Sequence, residues 1–89
     1  MNVMRMEEKI RQKLTESLAP DRLEVINESH LHIGHAGDNG TGESHFRVRV
    51  GSEKLRGMSR IDAQRQVYAA LHDEMQNGIH ALTINILTE

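Results

Sequence analysis

The stretch Phe46-Arg47-Val48-Arg49-Val50 carries the clearest periodic signal in the chain, because apolar and charged side chains alternate along it. Successive side chains of a β-strand point to opposite faces of the sheet, so the alternation predicts a strand with one buried and one solvated face. We assign this stretch as the second strand, and the other elements are placed outward from it.

A helix and a strand precede this segment. Apolar residues recur every four positions among charged ones before Pro20, which predicts an amphipathic helix whose stripe is Met6, Ile10, Leu14 and Leu18. The β-branched residues of the run Leu23-Glu24-Val25-Ile26-Asn27 favour a first strand. Residues 30–44 contain four glycines with Asp38 and Asn39, which predicts a flexible loop between the two strands.

A second helix and a third strand follow. Ser59 stands three residues before Asp62, a spacing typical of a helix N-cap, and Asn77-Gly78 supplies a stop signal. The apolar residues of this predicted helix are Ile61, Val67, Leu71 and Met75. The closing segment alternates again and predicts a strand with one face made of His80, Leu82, Ile84 and Ile86.

The order helix, strand, strand, helix, strand predicts an α+β domain that spans residues 1–89. The first two strands are expected to pair antiparallel across the glycine-rich loop. A strand, a helix and a further strand favour a right-handed crossover, so the third strand is expected parallel to the second. The prediction is therefore a three-stranded mixed sheet with both helices packed on one face, which leaves Arg47 and Arg49 on the open face.

Composition narrows the classes of protein. A chain of 89 residues with 37% hydrophobic and 27% charged residues suits one folded domain and is too small for a large multi-substrate enzyme. The sequence has no cysteine, so it offers no disulfide and no thiolate, and we expect a cytoplasmic protein. We find no signal peptide or membrane span. A net charge of -2 argues against binding to nucleic acid by bulk charge alone.

Six histidines in so short a chain form the first candidate site. His30, His32 and His35 lie in one window, His45 follows the loop, and His80 opens the predicted third strand. Such clustering is typical of imidazole ligation or proton chemistry, including a zinc or copper site in the loop. The alternative is that the loop histidines are solvated and that His80 is a half-buried residue bonded to the backbone.

A basic segment forms the second candidate site. Residues 47–65 contain six basic residues against two acidic ones, and the arginines among them are Arg47, Arg49, Arg56, Arg60 and Arg65. Such an excess can contact phosphates, although the segment lacks aromatic residues that would stack bases, and a solvated charged face is the alternative. We find neither a nucleophile elbow nor a phosphate-binding loop, and therefore expect no enzymatic activity.

Four motifs together resemble the BolA family. They are the runs Asn27-Glu28-Ser29-His30, Gly34-His35-Ala36, Gly42-Glu43-Ser44-His45-Phe46 and Ile79-His80-Ala81-Leu82. The resemblance covers essentially the whole chain. It implies a helix-strand-strand-helix-strand core related to the class II KH arrangement, in agreement with the order of elements predicted from periodicity.

The resemblance also implies a function. BolA-like proteins pair with monothiol glutaredoxins of the CGFS type and share a [2Fe-2S] cluster with them for iron–sulfur delivery or iron homeostasis. The family's ligand histidine corresponds to His80, and a second, from the loop, corresponds to His35. Partner cysteine and glutathione sulfur would supply the other ligands. His30, His32 and His45 are then expected to be spectators, and the isolated protein a monomer or weak dimer without its own cofactor.

Some BolA proteins are described as transcriptional regulators, which keeps nucleic-acid binding through the five arginines as the alternative function. The chain departs here from the family pattern. Many members carry Arg-His-Arg on the second helix, where this sequence reads Ala63-Gln64-Arg65.

Overall fold

The computed structural model describes residues 5–29 and 45–87 of the chain. Its elements are α1 (Met6–Leu18), β1 (Arg22–Asn27), β2 (His45–Gly51), α2 (Arg60–Ala70), α3 (His72–Asn77) and β3 (Ala81–Ile86). This order confirms the predicted α+β class, with a short third helix in addition. No helix within the described ranges combines the length and the hydropathy needed to cross a bilayer.

The three strands form one mixed sheet, as predicted, and their order in the sheet is β1-β2-β3. Strand β2 pairs antiparallel with β1, where Val25 lies opposite Val48. It pairs parallel with β3, where Val48 lies opposite Ile84. Because facing residues share one side of a sheet, the apolar residues of all three strands are aligned in rows across β2.

The core lies between one face of this sheet and the helices. Helix α1 buries one residue per turn toward the sheet, and these residues are Met6, Ile10, Leu14 and Leu18. From β2 the alternate residues Phe46, Val48 and Val50 are almost completely buried. Leu82, Ile84 and Ile86 of β3 are only partly buried and pack against this core from its edge. The periodicity in the sequence therefore predicted the buried face correctly.

The predicted second helix is divided in two. Helix α2 ends at Ala70, and Leu71 leaves the helical region with φ -104° and ψ 20° before α3 begins. The side chain of Leu71 is fully buried at this bend. Helix α2 packs against both β3 and α1, and α3 packs against α1 and α2.

The buried row of α2 also differs from the prediction. Ala63, Val67 and Leu71 are buried, whereas Ile61 is 63% exposed. Residues four apart lie on one side of a helix, and Ile61 falls outside the row that faces the sheet. Ser59 does cap α2 as predicted, because its hydroxyl accepts a hydrogen bond of 3.1 Å from the backbone N–H of Asp62.

Helix α1 ends in a way that ties it to the segment after β2. Ala19 adopts a left-handed conformation with φ 44°, and its N–H donates to the carbonyl of Thr15. The carbonyl of Leu18 has no helical donor left at this end and accepts a hydrogen bond from the buried hydroxyl of Ser52. The Ser52 oxygen in turn accepts from the backbone N–H of Lys54.

We therefore predict that Ser52→Ala lowers the free energy of unfolding by about 1–3 kcal/mol, because it leaves a buried carbonyl and an N–H without their partner. Urea denaturation followed by circular dichroism measures the difference. The exposed Ser17 on the same helix end provides the control, since Ser17→Ala should change stability by less than about 0.5 kcal/mol. Equal effects of the two substitutions would contradict this account of the helix end.

Candidate functional site

The candidate site lies at the end of the sheet where β2 and β3 begin side by side. The strands are parallel and His45 faces Ala81, so His80 stands next to the start of β2. The ring centroids of His45 and His80 are 5.4 Å apart, with the planes inclined by 49°. His45 is buried, with 7% of its surface exposed, whereas His80 is exposed. One accessible imidazole therefore rests against a buried one.

The position of His80 differs from the expectation that it shares a strand face with Leu82, Ile84 and Ile86. It lies just before β3 rather than within it, and it is exposed instead of turned into the core. Within the described ranges it makes no hydrogen bond or ion pair. The described residues therefore give no support to the alternative of a half-buried histidine bonded to the backbone.

The turn that follows β1 holds His45 in place. The Ser29 hydroxyl, buried to 2% exposure, accepts a hydrogen bond of 3.0 Å from the backbone N–H of His45 and lies 3.4 Å from its carbonyl oxygen. The Glu28 N–H donates to the same carbonyl at 2.8 Å. The side-chain oxygen of Asn27 accepts from the Ser29 N–H at 2.9 Å. The Asn27-Glu28-Ser29 motif thus fixes the first residue of β2.

The loop histidines cannot be placed beside this pair. His30, His32 and His35 lie outside the described residues, so the prediction that His35 is a ligand stays a prediction. Among residues 5–29 and 45–87, no group of three or more His, Asp or Glu side chains is arranged to hold a metal ion. The described part of the site therefore consists of two imidazoles.

The proximity of His45 to His80 is the feature that sequence reasoning missed. His45 was expected to be a spectator, yet its ring is the one in contact with His80. The sequence did contain a signal for this contact, because β2 and β3 each start at or beside a histidine and parallel pairing can place the starts of two strands side by side. The missing information was the exact register, because the alternation decides which face of a strand is buried but does not distinguish registers that differ by two residues.

The arginines of the basic segment are divided between two surfaces. Arg47 and Arg49 lie on the open face of the sheet, as predicted, and both meet carboxylates there. The Nε of Arg47 is 2.9 Å from the Glu28 carboxylate, and the Nη1 of Arg49 is 3.4 Å from that of Glu24. The Nη1 of Arg47 also donates to the Asn85 side chain at 3.1 Å.

The remaining arginines lie after β2, with Arg56 in the connection to α2 and Arg60 and Arg65 in α2 itself. Arg56 donates to both carboxylate oxygens of Asp21, and Arg65 lies 3.6 Å from the Asp62 carboxylate. Arg60 is the one arginine of the five without a carboxylate partner in the described part of the chain. The basic segment is therefore interspersed with acidic residues and does not form a continuous positive surface of the kind that phosphate binding favours.

The contact between the turn and His45 predicts the effect of Ser29→Ala. The substitution leaves the His45 N–H buried without an acceptor, so we expect a loss of about 1–3 kcal/mol in the free energy of unfolding. Hydrogen exchange of the His45 amide, followed by NMR, should accelerate. Ser59→Ala serves as a control, because it destabilises the distant start of α2. In this variant the exchange rate of the His45 amide should rise only as far as the lower global stability requires.

The pair of Asp21 and Arg56 predicts a dependence on pH. The hydrogen bonds from Arg56 hold the pKa of the Asp21 carboxyl below its ordinary value. A lowered pKa in the folded state stabilises the protein above the ordinary pKa, and this contribution disappears as the pH falls through the lowered value. NMR titration should show the Asp21 pKa rising in Arg56→Gln. An unchanged Asp21 pKa in that variant would show that the pair does not cause the shift.

Comparison with known proteins identifies the family. The family model of the BolA-like protein matches residues 14–89. Human BolA-like protein 1 is 45% identical over 83 residues, which are 93% of this chain and 58% of the human protein. The structure of BolA1 from Arabidopsis thaliana superposes with a TM-score of 0.84 at 35% identity, covering 98% of this chain and 95% of the other. The BolA domain of SufE1 from the same plant superposes with a TM-score of 0.83 at 37% identity, with the same coverage. The chain therefore belongs to the BolA family.

Proposed function

We propose that this protein is a non-enzymatic partner of a monothiol glutaredoxin of the CGFS type, with which it co-ligates a [2Fe-2S] cluster. The observation that carries the proposal is His80, an exposed imidazole without a hydrogen bond in the described residues, at the end of the rigid sheet. A ligand at a strand end can be presented to a second protein while the strand keeps its position.

Membership of the BolA family supports an iron–sulfur role. A BolA domain also occurs within SufE1 of Arabidopsis thaliana. This chain is 41% identical to a part of SufE-like protein 1, and that part makes up 22% of the protein. The presence of a BolA domain in that larger protein is compatible with an iron–sulfur role for this chain. The delivery of a cluster and the regulation of iron homeostasis are both consistent with this proposal.

The donor set of the chain is suited to a shared cluster rather than to one of its own. A [2Fe-2S] cluster needs four ligands, usually thiolates, although two histidines replace two of them in Rieske centres. This sequence has no cysteine, so imidazole is the donor that it can offer. The cysteine of the glutaredoxin and the sulfur of glutathione would complete the set. Neutral imidazole leaves such a cluster less negatively charged than thiolate does and raises its reduction potential.

We assign His80 as one ligand and His35, from the loop after β1, as the second. His45 is assigned a positioning role, because its buried ring lies against His80 and its backbone is fixed by Ser29 and Glu28. A ring packed on one side by another ring has fewer orientations available to it, and less entropy is lost when it binds. The turn that begins at Asn27 thus supports His80 indirectly, because it holds the backbone of His45, whose ring lies against His80.

The test is anaerobic reconstitution of the cluster with a CGFS glutaredoxin and glutathione, followed by visible absorption and circular dichroism. We expect a one-to-one complex whose spectrum differs from that of the glutaredoxin homodimer. His80→Ala and His35→Ala should each remove this difference. The exposed His72 at the start of α3 provides a matched control, and His72→Ala should retain the spectrum of the wild-type complex.

Two results would contradict the proposal. One is a spectrum that this protein does not change at all. The other is an altered spectrum that survives both His80→Ala and His35→Ala in folded variants. In the first case, binding of single-stranded and duplex DNA should be measured against salt, because a phosphate-binding protein loses affinity linearly with the logarithm of the salt concentration.

A further inference from the structure

Strand β3 ends the sheet with an edge that carries no charged residue. Its sequence is Ala81-Leu82-Thr83-Ile84-Asn85-Ile86, whereas the opposite edge strand β1 exposes Arg22 and Glu24. Charged residues on an edge strand hinder pairing with a further strand, and natural sheets commonly use them for protection. The described structure lacks this protection at β3.

The backbone of this edge is open to pairing. The Leu87 N–H donates to the Val50 carbonyl, so the odd-numbered residues of β3 direct their backbone groups toward β2. The even-numbered residues direct their backbone groups outward, away from β2, and these residues are Leu82, Ile84 and Ile86. The Tyr68 hydroxyl donates to the outward carbonyl of Leu82 at 3.4 Å, which covers the start of the edge. The N–H and C=O groups of Ile84 and Ile86 face outward beyond it.

Helix α2 and the segment before it form a wall beside these two residues. Arg60 and Gln64, four residues apart, line a cavity of about 150 Å³ together with Ile84 and Ile86. A second cavity of about 310 Å³ continues past the end of β3, where its apolar lining includes Leu55, Met58, Ala63, Ile86 and Leu87. Arg60 borders both cavities. The result is a trough that has the backbone of β3 along one side and Arg60 at its middle. Its end is lined by apolar side chains and by Arg56, which is paired with Asp21.

The charge of Arg60 determines which occupant fits. It has no carboxylate partner in the described residues, unlike Arg47, Arg49, Arg56 and Arg65. A second copy that paired antiparallel around Ile84 would bring two Arg60 side chains together, and like charges at such a contact are unfavourable. A carboxylate on the occupant is favourable at the same position.

We propose that the edge of β3 from Ile84 to Leu87 docks an extended segment of another protein, with a carboxylate at Arg60 and an apolar side chain in the end cavity. The segment adds a fourth strand, and its alternate side chains enter the trough. This surface is separate from the histidine pair, because Ile86 is six residues along β3 from His80, roughly 20 Å at the rise of a strand. The inference does not depend on the glutaredoxin proposal.

A titration of the ¹⁵N-labelled full chain with a synthetic peptide tests the inference. The probe is Ser-Thr-Ile-Thr-Glu-Thr-Ile-Thr-Ser, in which Ile and Glu share one face of a strand. We expect amide shifts at Ile84, Ile86, Leu87 and Arg60, and none at His80. Arg60→Glu, or Gln in place of Glu in the peptide, should weaken binding about tenfold.

Matched controls separate strand addition from general attraction. Arg65→Glu makes the same charge change on the same helix, at an ion-paired and exposed arginine outside the trough, and should leave the affinity unchanged. Two peptides N-methylated on opposite sets of alternate amides should differ, since only the one whose methyl groups face away from β3 can pair.

Several outcomes would overturn the proposal. They are absence of binding at millimolar peptide, shifts confined to other surfaces, equal loss in Arg65→Glu, and equal binding of the two N-methylated peptides. Shifts that grow with protein concentration alone would assign the edge to self-pairing. The same shifts with a ten-nucleotide thymidine oligonucleotide, and none with the peptide, would assign Arg60 to phosphate.

Discussion

The pairing of β2 with a neighbour on each side is the constraint on which the rest of the structure depends. Strand β2 is antiparallel to β1 and parallel to β3, so Val48 and Val50 lie opposite apolar residues of both edge strands. Phe46 lies opposite an apolar residue of β3 only. These apolar residues provide the surface on which α1 and α2 pack. A shift of one residue in either register would turn the apolar side chains toward solvent, so the register is strongly specified.

The same register produces the end of the sheet at which the two histidines meet. Parallel pairing places the starts of β2 and β3 together, and the rings of His45 and His80 come into contact as a consequence. The Asn27-Glu28-Ser29 turn adds hydrogen bonds to the backbone of His45, so the histidine pair is supported from β1 as well. The family motifs therefore have a physical explanation in this chain: one motif presents an imidazole, and another holds the strand behind it.

Electrostatics distinguish the surfaces of the domain. On the open face of the sheet, cross-strand ion pairs match Arg47 with Glu28 and Arg49 with Glu24. Exposed pairs of this kind contribute little to stability, but they reduce the local positive potential. Arg60, at the far end of β3 from His80, lies in different surroundings, beside an uncharged strand edge and an apolar cavity. The two ends of β3 thus offer different chemistry to partners.

The sequence by itself determined the order of the two long helices and three strands, the relative directions of the strands and the buried face of β2, because alternating and fourfold periodicities are local properties that burial enforces. Its motifs also indicated the BolA family and singled out His80. Tertiary structure decided the bend at Leu71, the exposure of Ile61 and the contact of His45 with His80. It also decided which arginines meet carboxylates. Apart from the pair of Arg65 with Asp62, these features depend on residues far apart in the chain, whose distances are set by register and helix packing and leave no periodic trace in the sequence.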